Sequence, residues 1–240
     1  MRRATIYEFD MLADKLSKYV GQMKFRLMDL CVKAEPAALL NVKVFIEGRF
    51  LSLEDCAKVA KSDDYNFIII PNYEEDLLSI QKGIFHVHPE FKIAVETMQV
   101  EVADENGNLQ DNDVKYLLVT MPEVNDDRYD VLKDGVKIVY EDCKANMENA
   151  NAKAQIKFAE LYLGESPEDV EKVKLGLDKL REQWNTQRDK VYNEKIQEIE
   201  DAYNMWLNEN AERELKRQED EAAHSDTPAT SMRMDQSDIN

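Results

Sequence analysis

Residues 126–163 read DDRYDVLKDGVKIVYEDCKANMENANAKAQIKFAELYL. Within them Leu132, Val136, Val139, Cys143, Met147, Ala150, Ala154, Phe158 and Leu161 recur at steps of three and four, which lays one apolar stripe along a long helix. A stripe of that length needs partners. The segment opened by Ser166 and Pro167 carries the complement in Val170, Val173, Leu177, Leu180, Trp184, Val191, Ile199, Tyr203 and Trp206. A third stripe lies near the start of the chain, in Leu12, Leu16, Tyr19, Met23, Leu27 and Leu30, beyond a long segment of different character. The sequence therefore predicts an α+β protein, a long three-helix bundle with a small α/β domain inserted after its first helix.

The expected boundaries are residues 1–37 and 123–210 for the bundle and 38–122 for the insertion, with an acidic, disordered tail over 211–240. Thr5 and Glu8 have capping-box spacing for the first helix, which should end before Pro36. From Val42 to Ile46 the period changes to two and Gly48 permits a turn, as in a strand leaving the bundle. Ser52 with Asp55 is expected to cap a short helix through Ala60, Asn66–Pro71 to form a buried strand, and Asn72 to cap a helix from Tyr73 to Gly83. Phe91–Val102 and Val114–Met121 read as two long strands joined by a hairpin turn at Asn106-Gly107. Ser166-Pro167-Glu168-Asp169 opens the last helix, whose pattern reaches about Leu207.

The formal charge is 31 − 49 = −18 over 240 residues, which argues against a generic nucleic-acid binder while leaving room for a local basic patch. Seven glycines and six prolines fit few, long elements rather than an all-β fold. Cys31, Cys56 and Cys143 are odd in number and form no Cys-x-x-Cys pair, so a reducing cytoplasm is expected. The N-terminus shows neither the apolar region nor the cleavage site of a signal peptide, and no stretch approaches the roughly 20 apolar residues of a membrane span.

The chemistry-bearing residues are better explained by structure than by catalysis. His86 and His88 with Glu90 are metal-ligand types that strand spacing would put on one face, but no third or fourth ligand is in view, and a surface or loop pair is expected. Asp126-Asp127 and Glu74-Glu75-Asp76 fall at helix N-termini, where acids oppose the dipole. Cys143, Trp184 and Trp206 fall on apolar stripes as packing residues. No nucleophile elbow, P-loop or dinucleotide glycine pattern is present, so no enzyme and no cofactor are expected. Lys15, Lys18, Lys24, Arg26 and Lys33 line the first helix as a solvated face or, alternatively, a phosphate-facing edge.

Several segments, taken in order, resemble the ribosome recycling factor family. Lys33-Ala34-Glu35-Pro36-Ala37-Ala38-Leu39-Leu40 running into Val42–Gly48 is similar to the family's "R-A-S-P-x-x-L" and first strand. Leu53–Ala57 with Phe67–Asn72 parallels its "L-x-x-L-A" turn and central strand, and Ile80–Pro89 parallels its short helix and following loop. Asn125-Asp126-Asp127-Arg128 is similar to its "T-E-E-R-R" helix opening. The resemblance spans residues 5 to 207 and implies an L-shaped, non-enzymatic translation factor. Such a factor binds the large ribosomal subunit and, with elongation factor G, releases or splits post-termination ribosomes.

The departures bear on binding. Where the family has "R-x-G-R-A", this chain has Leu30-Cys31-Val32-Lys33-Ala34, and no arginine lies between Arg128 and Arg181. Lysine neutralises phosphate but lacks the bidentate fork of arginine. The resemblance places ribosome-docking residues at Lys24, Arg26, Lys33, Lys144 and Lys153, and a hinge at Glu35, Pro36, Asn41 and Pro122. The hairpin also looks longer than the family's, and it or the tail is a candidate surface for a protein partner. The alternative reading is a divergent adaptor or regulatory protein that keeps the fold, binds protein and does not recycle ribosomes.

Overall fold

The computed structural model describes residues 3–103 and 109–225. In chain order the elements are α1 (Arg3–Leu27), β1 (Lys43–Ile46), β2 (Arg49–Ser52), α2 (Leu53–Cys56), β3 (Ala57–Lys61), β4 (Asn66–Pro71), α3 (Leu77–Val87), β5 (Lys92–Ala103), β6 (Leu109–Thr120), α4 (Asp126–Leu161) and α5 (Pro167–Ser225). Single 3-10 turns occupy Pro36–Leu39 and Glu74–Asp76.

Helices α1, α4 and α5 bury their stripes against one another. Leu16, Val136 and Ile199 are fully enclosed, and Met147 and Phe158 nearly so. Each such side chain contributes about 1.5–3 kcal/mol by leaving water, which offsets the conformational entropy lost when the three helices are ordered. Local signals fix where the helices begin. The Asn125 side chain accepts the Arg128 backbone N–H at 3.0 Å, and Ser166 Oγ accepts that of Asp169 at 3.1 Å.

A second core gathers Val42, Val44, Phe67, Ile69, Ile80, Ile84, Leu117 and Val119 between α3 and an antiparallel sheet of order β3-β4-β6-β5, with the β1–β2 hairpin beside it. Helix α3 approaches β1 so closely that a Cβ on Gly83 would lie 2.7 Å from the Lys43 carbonyl oxygen. Only glycine fits there. The chain passes between the cores twice. Cys31 and Met121 belong to the second core, while Val32 and Val124 belong to the first.

Several local expectations are corrected. Thr5 is not a cap: α1 begins at Arg3, and Thr5 is a buried position on its inner face. The helix expected through Ala60 is one turn with a Ser52–Asp55 capping box, because Ala57–Lys61 pair instead with Phe67–Pro71 as a strand. Asn72 donates its side-chain amide to the Asp55 carbonyl at 3.0 Å, and the helix it was expected to cap starts at Leu77. β6 begins at Leu109 rather than Val114, and the Asn106-Gly107 turn lies outside the described residues. Residues 211–225, expected as irregular tail, continue α5 to Ser225. Ion pairs Glu209–Arg213, Glu214–Arg217 and Arg217–Glu221, three or four residues apart, support these turns without an apolar stripe. The remainder of the expected tail, 226–240, lies outside the described residues.

Candidate functional site

The five candidate docking cations are distributed over the bundle rather than gathered. Lys24 and Lys33 come together, lining a cavity of about 340 Å³ with Val191, Glu194, Lys195 and Glu198 of α5 and with Glu35, Ala37 and Ala38. Arg26 turns to α4, where its Nη1 lies 2.9 Å from Asp142 Oδ2. Lys33 Nζ is 3.8 Å from Asp64, whose carboxyl is held below the usual range chiefly by a hydrogen bond from Lys61, with help from the charges of Lys61 and Lys33. Lys144 Nζ is 3.9 Å from Glu141. Lys153 is exposed, with no ion pair among the described residues. Exposed pairs of this kind contribute about 0–1 kcal/mol, so a phosphate can replace the carboxylate at little cost.

Arg188, which the sequence reading did not single out, is a cation that the fold turns inward. It is 7% exposed, bonds Asp189 at 2.8 Å and Asn185 at 3.2 Å, and lies 4.9 Å from the Tyr140 ring. It supports the α4–α5 contact rather than presenting charge to solvent.

The two crossings between the cores are tied by one side chain. From the first turn of α4, Arg128 donates Nη2 to the Cys31 carbonyl at 2.8 Å and Nη1 to the Pro122 carbonyl. Around this clasp, Ala34 N–H donates to Asp64 O and Met121 N–H to Tyr65 O, each at 2.8 Å. The expected hinge residues surround it. Glu35 and Pro36 are exposed at the 3-10 turn, Asn41 donates to Asp29 Oδ1 at 2.6 Å, and Pro122 supplies a clasped carbonyl. The extension of α5 also reaches this point, because Arg213 forks onto Glu123 at 2.9 and 3.1 Å.

His88 fixes the second core to the first crossing. It is 1% exposed, stacks on Phe91 at 4.4 Å, and lies with Nε2 2.9 Å from the Ala38 carbonyl and Nδ1 3.2 Å from Glu90 Oε1. Both partners are acceptors, so both ring nitrogens donate only when the ring is protonated. Burial opposes that charge, but the hydrogen bonds to Glu90 and Ala38 and the Glu90 charge outweigh it, and the His88 pKa is raised. For Glu90, burial is likewise outweighed by the hydrogen bond to His88 and by its backbone N–H, and the carboxyl is lowered. Of the expected surface or loop pair of histidines, the reading is corrected only for His88, which lies in the loop after α3 but is buried. His86 is exposed in the last turn of α3, whereas His88 lies beyond its end in the interior.

The thiols are unsuited to nucleophilic work. Burial pushes Cys31 up to about 11 against the opposing charge of Arg128, and burial also raises Cys56 and Cys143. Among the described residues no three His, Cys, Asp or Glu side chains come together as a metal site, and no helix is long and apolar enough to cross a membrane.

A three-helix bundle interrupted after its first helix by an α/β unit, with two tied crossings, defines a class of two-part α+β protein. The chain belongs to the ribosome recycling factor family, whose model matches residues 24–199. The fold is similar to a solution structure of the ribosome recycling factor, with a TM-score of 0.62 and 17% identity, covering 84% of this chain and all of that one. It is also similar to a chain in models of the T. thermophilus ribosome recycling factor and the E. coli elongation factor G bound to the E. coli post-termination complex. That likeness has a TM-score of 0.50 and 19% identity, covering 81% of this chain and 98% of that one. No curated protein sequence matches.

Proposed function

We propose that this chain is a cytoplasmic, non-enzymatic translation factor that binds the large ribosomal subunit and acts with elongation factor G to release or split post-termination ribosomes. The observation that carries the reading is the family match over residues 24–199. The junction supports it further. In this reading residues 1–37 and 123–210 form the docking body, residues 38–122 the moving one, and Glu35–Asn41 with Met121–Val124 the pivot. Lys24, Arg26, Lys33, Lys144 and Lys153 meet ribosomal RNA, exchanging neighbouring carboxylates for phosphates where these are present. GTP hydrolysis belongs to the partner.

The test is splitting of post-termination ribosomes, followed by light scattering with elongation factor G and GTP. Wild type accelerates splitting, and Lys33→Glu weakens it by reversing charge beside the cavity that Lys33 lines with Lys24. No acceleration by wild type overturns the proposal. A second reading, a protein-binding adaptor on the same fold, is favoured by the charge of −18 and by acids close to Arg26, Lys33 and Lys144. It predicts the inactive outcome.

A further inference from the structure

Strand β5 ends the sheet order β3-β4-β6-β5, so one side of its backbone pairs with β6 and no strand lies on the other among the described residues. Its register against β6 is unbroken from Lys92↔Thr120 to Ala103↔Leu109, and it contains no proline. Natural edge strands of this length are usually bent, shortened, covered or guarded by charge, because an open row of N–H and C=O groups is a template for another strand. Here the defence consists of Lys92 and Glu96 alone over residues 92–100. Between them the edge is apolar, with Ile93 half-buried and Val95 53% exposed.

We propose that residues 92–96 of β5 form the seam of a homodimer, pairing antiparallel with the same residues of a second copy about a two-fold axis through Ala94. In that register Lys92 faces Glu96 and Ile93 faces Val95, each twice by symmetry, and the smallest side chain of the segment meets its copy on the axis. The edge is its own complement. The two guarding charges become two cross-strand ion pairs, and the exposed Val95 gains a β-branched neighbour. Moving the axis to Val95 sets Glu96 against Ala94 and Lys92 against Met98, and moving it to Glu96 sets two carboxylates face to face. The charge pattern thus selects Ala94 among these registers. Lys92 and Glu96 share one face of the sheet, and Glu96 is held there by the Tyr116 hydroxyl, which donates to its Oε2 at 2.6 Å. Five residue pairs make a small interface, so the dimer is weak and appears as concentration rises.

Sedimentation velocity of the full chain from about 1 µM to 1 mM tests this over the range of weak interfaces. Wild type is expected to pass reversibly from monomer to dimer. Lys92→Glu and Glu96→Lys each place like charges opposite one another twice, and each should weaken association at least about tenfold. The double variant Lys92→Glu/Glu96→Lys restores opposite charges in the same register and should recover the dimer, with circular dichroism confirming that every variant is folded. Tyr116→Phe controls for the hydrogen bond that Glu96→Lys removes and should still dimerise. A wild type that stays monomeric, leaving the edge for a foreign strand, overturns the proposal. So does a dimer indifferent to the single reversals, or a folded double variant that fails to recover.

Discussion

Replacing His88 by phenylalanine keeps a planar ring against Phe91 but removes both donors. The Ala38 carbonyl, on a residue 2% exposed, loses its 2.9 Å partner in the interior, which costs about 1–3 kcal/mol. Glu90 has a side chain 41% exposed, so water takes over its lost bond and adds little. A loss of that size should lower the melting temperature by about 2–4 °C per kcal/mol in a chain of this size. The loss should depend on pH. Because the folded pKa of His88 is raised, its contribution is complete below the ordinary histidine value of 6.5 and fades as pH rises through the folded value. Glu90, being lowered, contributes above its ordinary 4.5 and fades as pH falls through its folded value. Urea denaturation of wild type and His88→Phe at pH 6 and pH 9 should therefore give a larger difference at pH 6. An equal or larger difference at pH 9 would refute the claim that the ring bridges two acceptors as a cation.

Helix propensity alone would make Gly83→Ala stabilising by about 1 kcal/mol, yet the 2.7 Å approach of a Cβ to the Lys43 carbonyl should make it destabilising by about 1–3 kcal/mol. A raised melting temperature would show that α3 and β1 are not in close contact. Arg128→Met leaves the Cys31 and Pro122 carbonyls without their donor and should cost on the order of 3 kcal/mol while broadening the range of orientations seen by solution scattering. Wild-type stability and scattering in that variant would remove the clasp. Burial raises Cys31 from an ordinary 9.0 to about 11, and the smaller thiolate population, partly offset by its greater nucleophilicity, should slow labelling by Ellman's reagent at pH 8 at least about tenfold folded relative to urea. Equal rates would contradict its burial.

The helices of the bundle were legible because their stripes are long and regular: Leu132, Val136, Val139, Cys143, Met147, Ala150, Ala154 and Phe158 are all buried. Among the short elements, the strands at Lys43–Ile46 and Asn66–Pro71 lie where alternation and the closing proline put them, whereas Ala57–Lys61 was missed because it becomes a strand only by pairing with Phe67–Pro71. The end of α5 was hidden for a related reason, because turns held by ion pairs and by Arg213–Glu123 carry no core-facing stripe. At the junction the sequence pointed to Pro36 and Pro122, whereas the cores meet at Cys31–Ala34 and Met121–Val124, and what ties these two stretches was not visible. Arg128 meets Cys31, and His88 meets Ala38, across separations of 97 and 50 residues that no local pattern encodes.

The proposed ribosomal role is tested most directly by co-sedimentation of the purified chain with isolated large subunits across a salt series. Binding by the remaining cations predicts pelleting at low salt that falls steeply as salt rises, and less pelleting for Lys33→Glu at every salt. A chain that stays in the supernatant even at low salt would contradict the account and leave a recycling-factor fold serving a protein partner.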